Sequence, residues 1–330
     1  MSKGLKTILF LLFLICFLAG FSQIWAAGPG LGRRTLTFTQ YLQYPRIWLS
    51  VIVGLAAGFL LVVLKIKIWQ RALILAAVFV LFGVLPAVFS ENAFFAKLSA
   101  HPSPLCAVTK PVLFSLRMNQ FIFPAVFAGV LTLIAFLSIV GNKLFCGWVC
   151  PIGALQELAH MVPMKLKRIK LVFYIINTLR AVLLIGFIPV LVMFGIVLYD
   201  YFNPFQMLHW TLGTDFWTLY IWAVVAVTII CSFFVFRPFC HAVCPIGILT
   251  WLMEQFSLFR IRFHKDRCNQ CFVCIKEAPC LAMPSILGQK RIRPDCYACG
   301  KCIAVCPTKA LEFNIRNGKN NFMFHKKRRV

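Results

Sequence analysis

Apolar residues come in blocks of about twenty along the first 260 positions, and a polar, basic stretch follows. A helix that crosses a bilayer needs about 20 mostly apolar residues. Six stretches meet that length: 7–26, 47–64, 72–89, 121–140, 179–198 and 216–236. The first follows Lys3 and Lys6 and has the outline of a signal peptide. Its apolar run is long for one, however, and Trp25 interrupts the small-residue cleavage site, so a retained helix is expected. The pattern therefore predicts a mainly α, polytopic transmembrane bundle of about six helices over 1–260, with a separate polar domain over 261–330.

The connecting segments set the orientation. Lys65, Lys67 and Arg71 crowd the short connector after the second stretch. Lys143, Lys165, Lys167, Arg168 and Lys170 follow the fourth, while the segment before the sixth carries Asp200 and Asp215 but no Lys or Arg. Positive charge collects on the cytoplasmic side. Both termini are thus expected in the cytoplasm of a bacterial-type inner membrane. The predicted spans contain no Asp or Glu, which disfavours an ion pump, and Arg180 is expected to snorkel from a span end.

Composition agrees. Of 330 residues, 61% are hydrophobic and 13% charged, against about 45–50% and roughly 25% in soluble domains. The net charge is +25, from 34 Lys+Arg against 9 Asp+Glu. Because these charges sit beside apolar blocks, they fit contact with anionic lipid, and no nucleic-acid partner is expected. The same cationic face suits an acidic soluble ferredoxin or flavodoxin. The basic end, His325 to Arg329, reads as a solvated tail.

Cysteine spacing supplies the chemistry. Twelve of the 15 cysteines fall in two runs of four and two CxxxC pairs, which points to thiolate ligation of metal rather than a disulfide framework. Cys296-x2-Cys299-x2-Cys302-x3-Cys306-Pro307 follows the bacterial ferredoxin run. Three closely spaced thiolates wrap one cubane and the fourth reaches another. Upstream, Cys268-x2-Cys271-x2-Cys274-x5-Cys280 repeats the beginning of the run but has a longer last step. The usual crossover gives one [4Fe–4S] cluster Cys268, Cys271, Cys274 and Cys306, and a second Cys280, Cys296, Cys299 and Cys302. Residues 261–330 are thus expected to be a small α+β two-cluster ferredoxin-like domain. A short helix and hairpin are expected between the runs, and a strand at ALEFNI.

A second motif occurs twice. Residues 145–155 read FCGWVCPIGAL and residues 239–249 read FCHAVCPIGIL. Residues four apart share a helix face, so each CxxxC predicts two thiols side by side. Two copies suggest an internal repeat in which Cys146, Cys150, Cys240 and Cys244 converge. Two roles are open for them: a further metal or Fe–S centre, or ligand-free redox thiols. Cys16 and Cys231 read as packing residues, and Cys106 as a lone thiol in an outward loop beside His101. His160, His209 and Trp210 are expected near the interfaces. No span interior carries His and no phosphate-binding glycine loop is present, so neither haem nor nucleotide is expected.

The two FCxxxCPIG segments together with the double cysteine run resemble the polyferredoxin-type membrane proteins. That group includes the quinol-oxidising membrane subunit of periplasmic nitrate reductase systems and the membrane part of the nitrous-oxide reductase maturation protein. The resemblance spans roughly 121–315. It implies two cytoplasmic [4Fe–4S] clusters and electron exchange between quinone or quinol and a periplasmic or membrane-bound reductase. Such a chain would be a redox subunit rather than a stand-alone enzyme. The competing expectation is a metal-handling or assembly factor for a periplasmic metalloenzyme that uses the CxxxCP cysteines.

Overall fold

The computed structural model describes residues 38–316 apart from 64–65, 100–101, 120–122, 164–167, 170–171, 210–215 and 291. The predicted span over 7–26, with Cys16, and the basic tail lie outside the described residues, as do His101 and Trp210.

Four described helices are long and apolar enough to cross a membrane: Pro45–Val63, Ile68–Val88, Phe173–Phe194 and Phe216–Phe234. Their apolar surfaces stay largely uncovered by protein. Tyr174 is 80% exposed and Phe216 83%, an arrangement that lipid stabilises and water does not. The chain is a membrane protein. The second of these helices passes through a π-helical turn at Val80–Val84, ahead of Pro86, whose ring cannot follow a regular helix without local unwinding.

Two predicted features change. The expected fourth span is a helix of 16 residues, Ala125–Val140, bounded by Pro124 and Gly141 and short of a full crossing. The stretch read as an outward loop around Cys106 is a 15-residue helix, Pro104–Met118, packed on Ala125–Val140. Ser103 caps it by accepting from the Cys106 amide at 3.2 Å, and Cys106 is buried. Its Pro, Ser, Thr and Lys residues dilute the hydropathy that marks a buried helix.

The two CxxxCP segments begin equivalent short helices, Pro151–Met161 and Pro245–Glu254. In each, the second cysteine is extended at the N-cap and proline opens the helix, since proline needs no amide partner there. Hence neither CxxxC lies on one continuous helix. Pro151–Met161 packs between Ile68–Phe79 and Phe216–Phe234, and Pro245–Glu254 packs between Phe173–Phe194 and Ala125–Val140. The polar domain docks beneath. Its strand β1, Phe259–Phe263, pairs antiparallel with β2, Leu311–Ile315, with Ile261 opposite Phe313. β2 is the strand expected at ALEFNI. Between the cysteine runs lies a single short helix, Met283–Leu287, and no hairpin is described there.

Candidate functional site: two thiol clusters beneath a repeated cysteine motif

The eight cysteines of the tail gather in two groups. Cys280, Cys296, Cys299 and Cys302 are buried and lie within electrostatic reach of one another. Cys274 has Cys268, Cys271 and Cys306 as its thiol neighbours. Cys280 therefore joins the second run despite its longer connecting loop.

The loops around these thiols suit iron–sulfur clusters. Left-handed backbone recurs at Gln270, Phe272, Ala298 and Gly300, bending the chain around each thiol group. Backbone amides point at sulfur: Gln270 donates to Cys268 Sγ at 3.4 Å and Ala310 to Cys306 Sγ at 3.3 Å. Burial pushes the Cys280 thiol up to about 12, with Cys299 adding to the shift. Thiolates at such a site need the positive charge of bound metal. At Cys306 burial acts the same way, but the Ala310 amide and the Thr308 hydroxyl outweigh it and hold this thiol below its ordinary value.

The repeated motif forms the roof. Cys146, Cys150, Cys240 and Cys244 line one small apolar cavity of about 20 Å³, together with Phe145, Phe239 and Tyr297. The two copies reach across to each other. Lys143 and Arg237 stand at the same position, three residues before the first cysteine of their copies. Both adopt left-handed backbone, with φ of 54° and 51°, and both are fully buried. Lys143 Nζ donates to the Gly247 carbonyl of the second copy at 2.9 Å. Arg237 donates to the Cys146 and Gly147 carbonyls of the first.

Two buried carboxylates tie this cage together. Glu157 pairs with Arg71 and Arg237; burial alone would raise its pKa, yet the two guanidiniums hold it down to about 2. Asp295 pairs with Lys143 and Arg180 and meets His241 Nδ1 at 3.2 Å. Arg180 is fully buried, so it does not snorkel as expected: its partner Asp295 lies 115 positions away in the polar domain. His160, expected near an interface, is buried with Nδ1 3.0 Å from the Ser232 carbonyl.

The roof and the tail interlock. Trp148 Nε1 donates to the Ala298 carbonyl at 3.0 Å, and the Cys296 amide donates to Glu254 at 3.1 Å. Tyr297 stacks beneath the guanidinium of Arg237, 4.8 Å from its ring centroid. Sequence reasoning missed Tyr297, Trp148, Glu157 and Asp295. A signal for Lys143 and Arg237 was present: both copies read as a basic residue, any residue, then FC, in KLFC and RPFC.

A lipid-embedded helical body joined to a thiol-rich domain with amides aimed at sulfur defines a membrane iron–sulfur electron-transfer protein. Comparisons with known proteins agree. The 4Fe-4S binding domain family matches residues 122–170 and 216–265, one segment for each CxxxCP copy. The chain is 28% identical over 197 residues to the ferredoxin-type protein NapH of Haemophilus influenzae, covering 57% of this chain and 68% of that one. It is 30% identical over 207 residues to the putative electron transport protein YccM of Escherichia coli, covering 59% and 58%. The regulatory protein NosR of Stutzerimonas stutzeri shares 32% over 148 residues, 42% of this chain but 20% of its own. The chain thus spans only part of each relative. No solved structure matches. By motif and by relatives, the chain is similar to the polyferredoxin-type membrane proteins.

Proposed function

We propose that this chain is an inner-membrane redox subunit with both termini cytoplasmic. It relays electrons between quinone or a cytoplasmic donor and a membrane-bound or periplasmic reductase. Two [4Fe–4S] clusters would carry them, one on Cys268, Cys271, Cys274 and Cys306 and the other on Cys280, Cys296, Cys299 and Cys302. The observation that carries this reading is the interlock of the Cys296–Cys299 loop with the repeated motif, through Trp148 and Glu254. It fastens the tail directly to the membrane body by hydrogen bonds. A second cavity reaches Cys299, and its wall is mixed: Ile66, Ile68, Met161 and Phe236 line it together with Arg71, Glu157, His160, Arg168 and Lys301. It offers a quinone apolar contacts for its ring and hydrogen-bond donors for its carbonyls.

Anaerobic purification in detergent, with iron, sulfide and EPR measurements, tests the proposal. The tail should contribute about eight irons per chain. Cys306→Ser should remove or alter one cluster signal and Cys299→Ser the other, each leaving its neighbour. Short-chain quinol should reduce the wild-type clusters, and Cys299→Ser should slow that reduction. A colourless preparation, or zinc in place of iron, would end this reading.

A further inference from the structure

The cavity that reaches Cys299 is walled by three parts of the chain: the start of the membrane helix Ile68–Val88, the short helix Pro151–Met161, and the tail at Pro279 and Lys301. Its volume is about 130 Å³, and a cavity of about 150 Å³ takes one benzene ring. Ile68, in its wall, is 48% exposed and is the first residue of that membrane helix. A lipid-soluble ring therefore meets the cavity at the end of a membrane span.

Two polar groups in this wall have bonding capacity to spare. Arg71 is 3% exposed; its Nε and Nη2 donate to Glu157, and Nη2 also to the Gly147 carbonyl, while Nη1 has no partner. Buried donors are ordinarily paired. The second group is His160. A carbonyl oxygen only accepts, so the 3.0 Å contact with Ser232 puts the proton on Nδ1 and leaves a lone pair on Nε2. Phe236 packs edge-on against the ring, 5.5 Å between centroids.

The other charged groups in the wall do not compete for a proton. Glu157 is tied to Arg71 and Arg237, which hold its carboxyl down to about 2. Arg71, Arg168 and Lys301 are cations and can only donate. Burial keeps the His160 ring below its ordinary value, and Arg168 and Lys301 add to that shift, while the Ser232 carbonyl and Glu157 oppose it. His160 is therefore neutral near pH 7 and open to protonation at Nε2.

We propose that His160 is the proton acceptor of a quinol-oxidising site in this cavity, with Nε2 taking the proton of one ring hydroxyl while Arg71 Nη1 donates to the other ring oxygen. The inference rests on the quinone reading of the cavity and adds the groups that bind the ring and move its protons. Oxidation of one quinol to quinone breaks two O–H bonds and releases two protons and two electrons. The electrons leave one at a time to an oxidised iron–sulfur centre on the Cys299 side. The protons leave in turn through His160, which must pass the first to water before it takes the second. A ring that holds its proton weakly suits that exchange.

The test uses the full chain in detergent, purified without oxygen, with a short-chain benzoquinol as reductant and a photoreactive azidobenzoquinone as label. The label should map to residues 66–71, 157–161 or 299–301 and be displaced by unlabelled quinone. Stopped-flow reduction of the wild type by quinol should slow as pH falls below about 6.5, where the histidine takes a proton from water instead. His160→Asn keeps an amide for the Ser232 carbonyl but has no atom at Nε2. It should slow reduction about 100-fold or more and lose the acid limb. Its labelling should match the wild type, because an unprotonated Nε2 offers a quinone carbonyl no bond. Ile68→Trp, at an exposed position, should lower labelling and reduction about tenfold, with the EPR signals developed by dithionite unchanged. Labelling outside these segments would overturn the proposal, as would a wild-type rate and pH profile in His160→Asn. Label in the cavity with no cluster signal under dithionite would support this site and overturn the tail clusters instead.

Discussion

Glu157→Gln is expected to destabilise the protein by about 3–5 kcal/mol, the range for breaking a buried ion pair from one side. The carboxylate is 2% exposed and joins Arg71, from the second membrane helix, to Arg237, which precedes the second motif copy. Glutamine fits the space but leaves both guanidiniums without a counter-charge. Arg71 is then held by the Gly147 carbonyl at 3.2 Å and by Trp148, whose ring centre lies 4.2 Å away. Thermal unfolding in detergent, followed on anaerobic samples, gives the difference. Asp200→Asn is the contrast: its pair with Lys110 is a quarter exposed, and such pairs contribute about 1 kcal/mol or less. Equal stability of Glu157→Gln and wild type would show that the cage is not structural.

The same pair sets an acid limit. The folded pKa of Glu157, about 2, is below its unfolded value of about 4.3. The contribution is therefore complete above the unfolded value and lost as pH falls through 4 toward 2. Acid unfolding of the wild type should steepen in that window, and Glu157→Gln should lack this component.

Much of the chemistry was legible because cysteine spacing is local. Two runs and two FCxxxCPIG copies can be read directly, and Cys280 needed only a loop long enough to return. What escaped depends on partners far apart in sequence. Arg180 read as a snorkelling residue because nothing near it is acidic; Asp295, the residue that pairs it, belongs to the other domain. Apolar runs located the four long helices, with ends off by as many as six residues, as at Phe173–Phe194 against the expected 179–198. The same measure misjudged 104–118, where burial comes from packing on Ala125–Val140 and not from composition. The 4Fe-4S family match falls on the repeated motif, whereas spacing alone placed the strongest cluster signal in the tail.

Gly147→Ala should uncouple the tail from the membrane body. Gly147 sits between the two cysteines of the first copy, and a Cβ there would overlap the Tyr297 carbonyl oxygen. The clash is with backbone, so no side-chain rotation relieves it. The loop Cys296–Cys302 must instead move away, breaking the Trp148 bond to Ala298 and the Cys296 amide bond to Glu254. Overpacking of this kind costs about 1–3 kcal/mol, and here it falls on the loop proposed to hold the second cluster. The expected result is a folded membrane body with the Cys268 cluster signal kept and the Cys296 signal lost or broadened. Limited proteolysis should cut faster between residues 264 and 295. Gly186→Ala is the control, because an added Cβ there meets nothing within 4 Å; its helix should gain up to about 1 kcal/mol. If Gly147→Ala keeps both cluster signals and its protease resistance, the tail is not seated on this motif in solution.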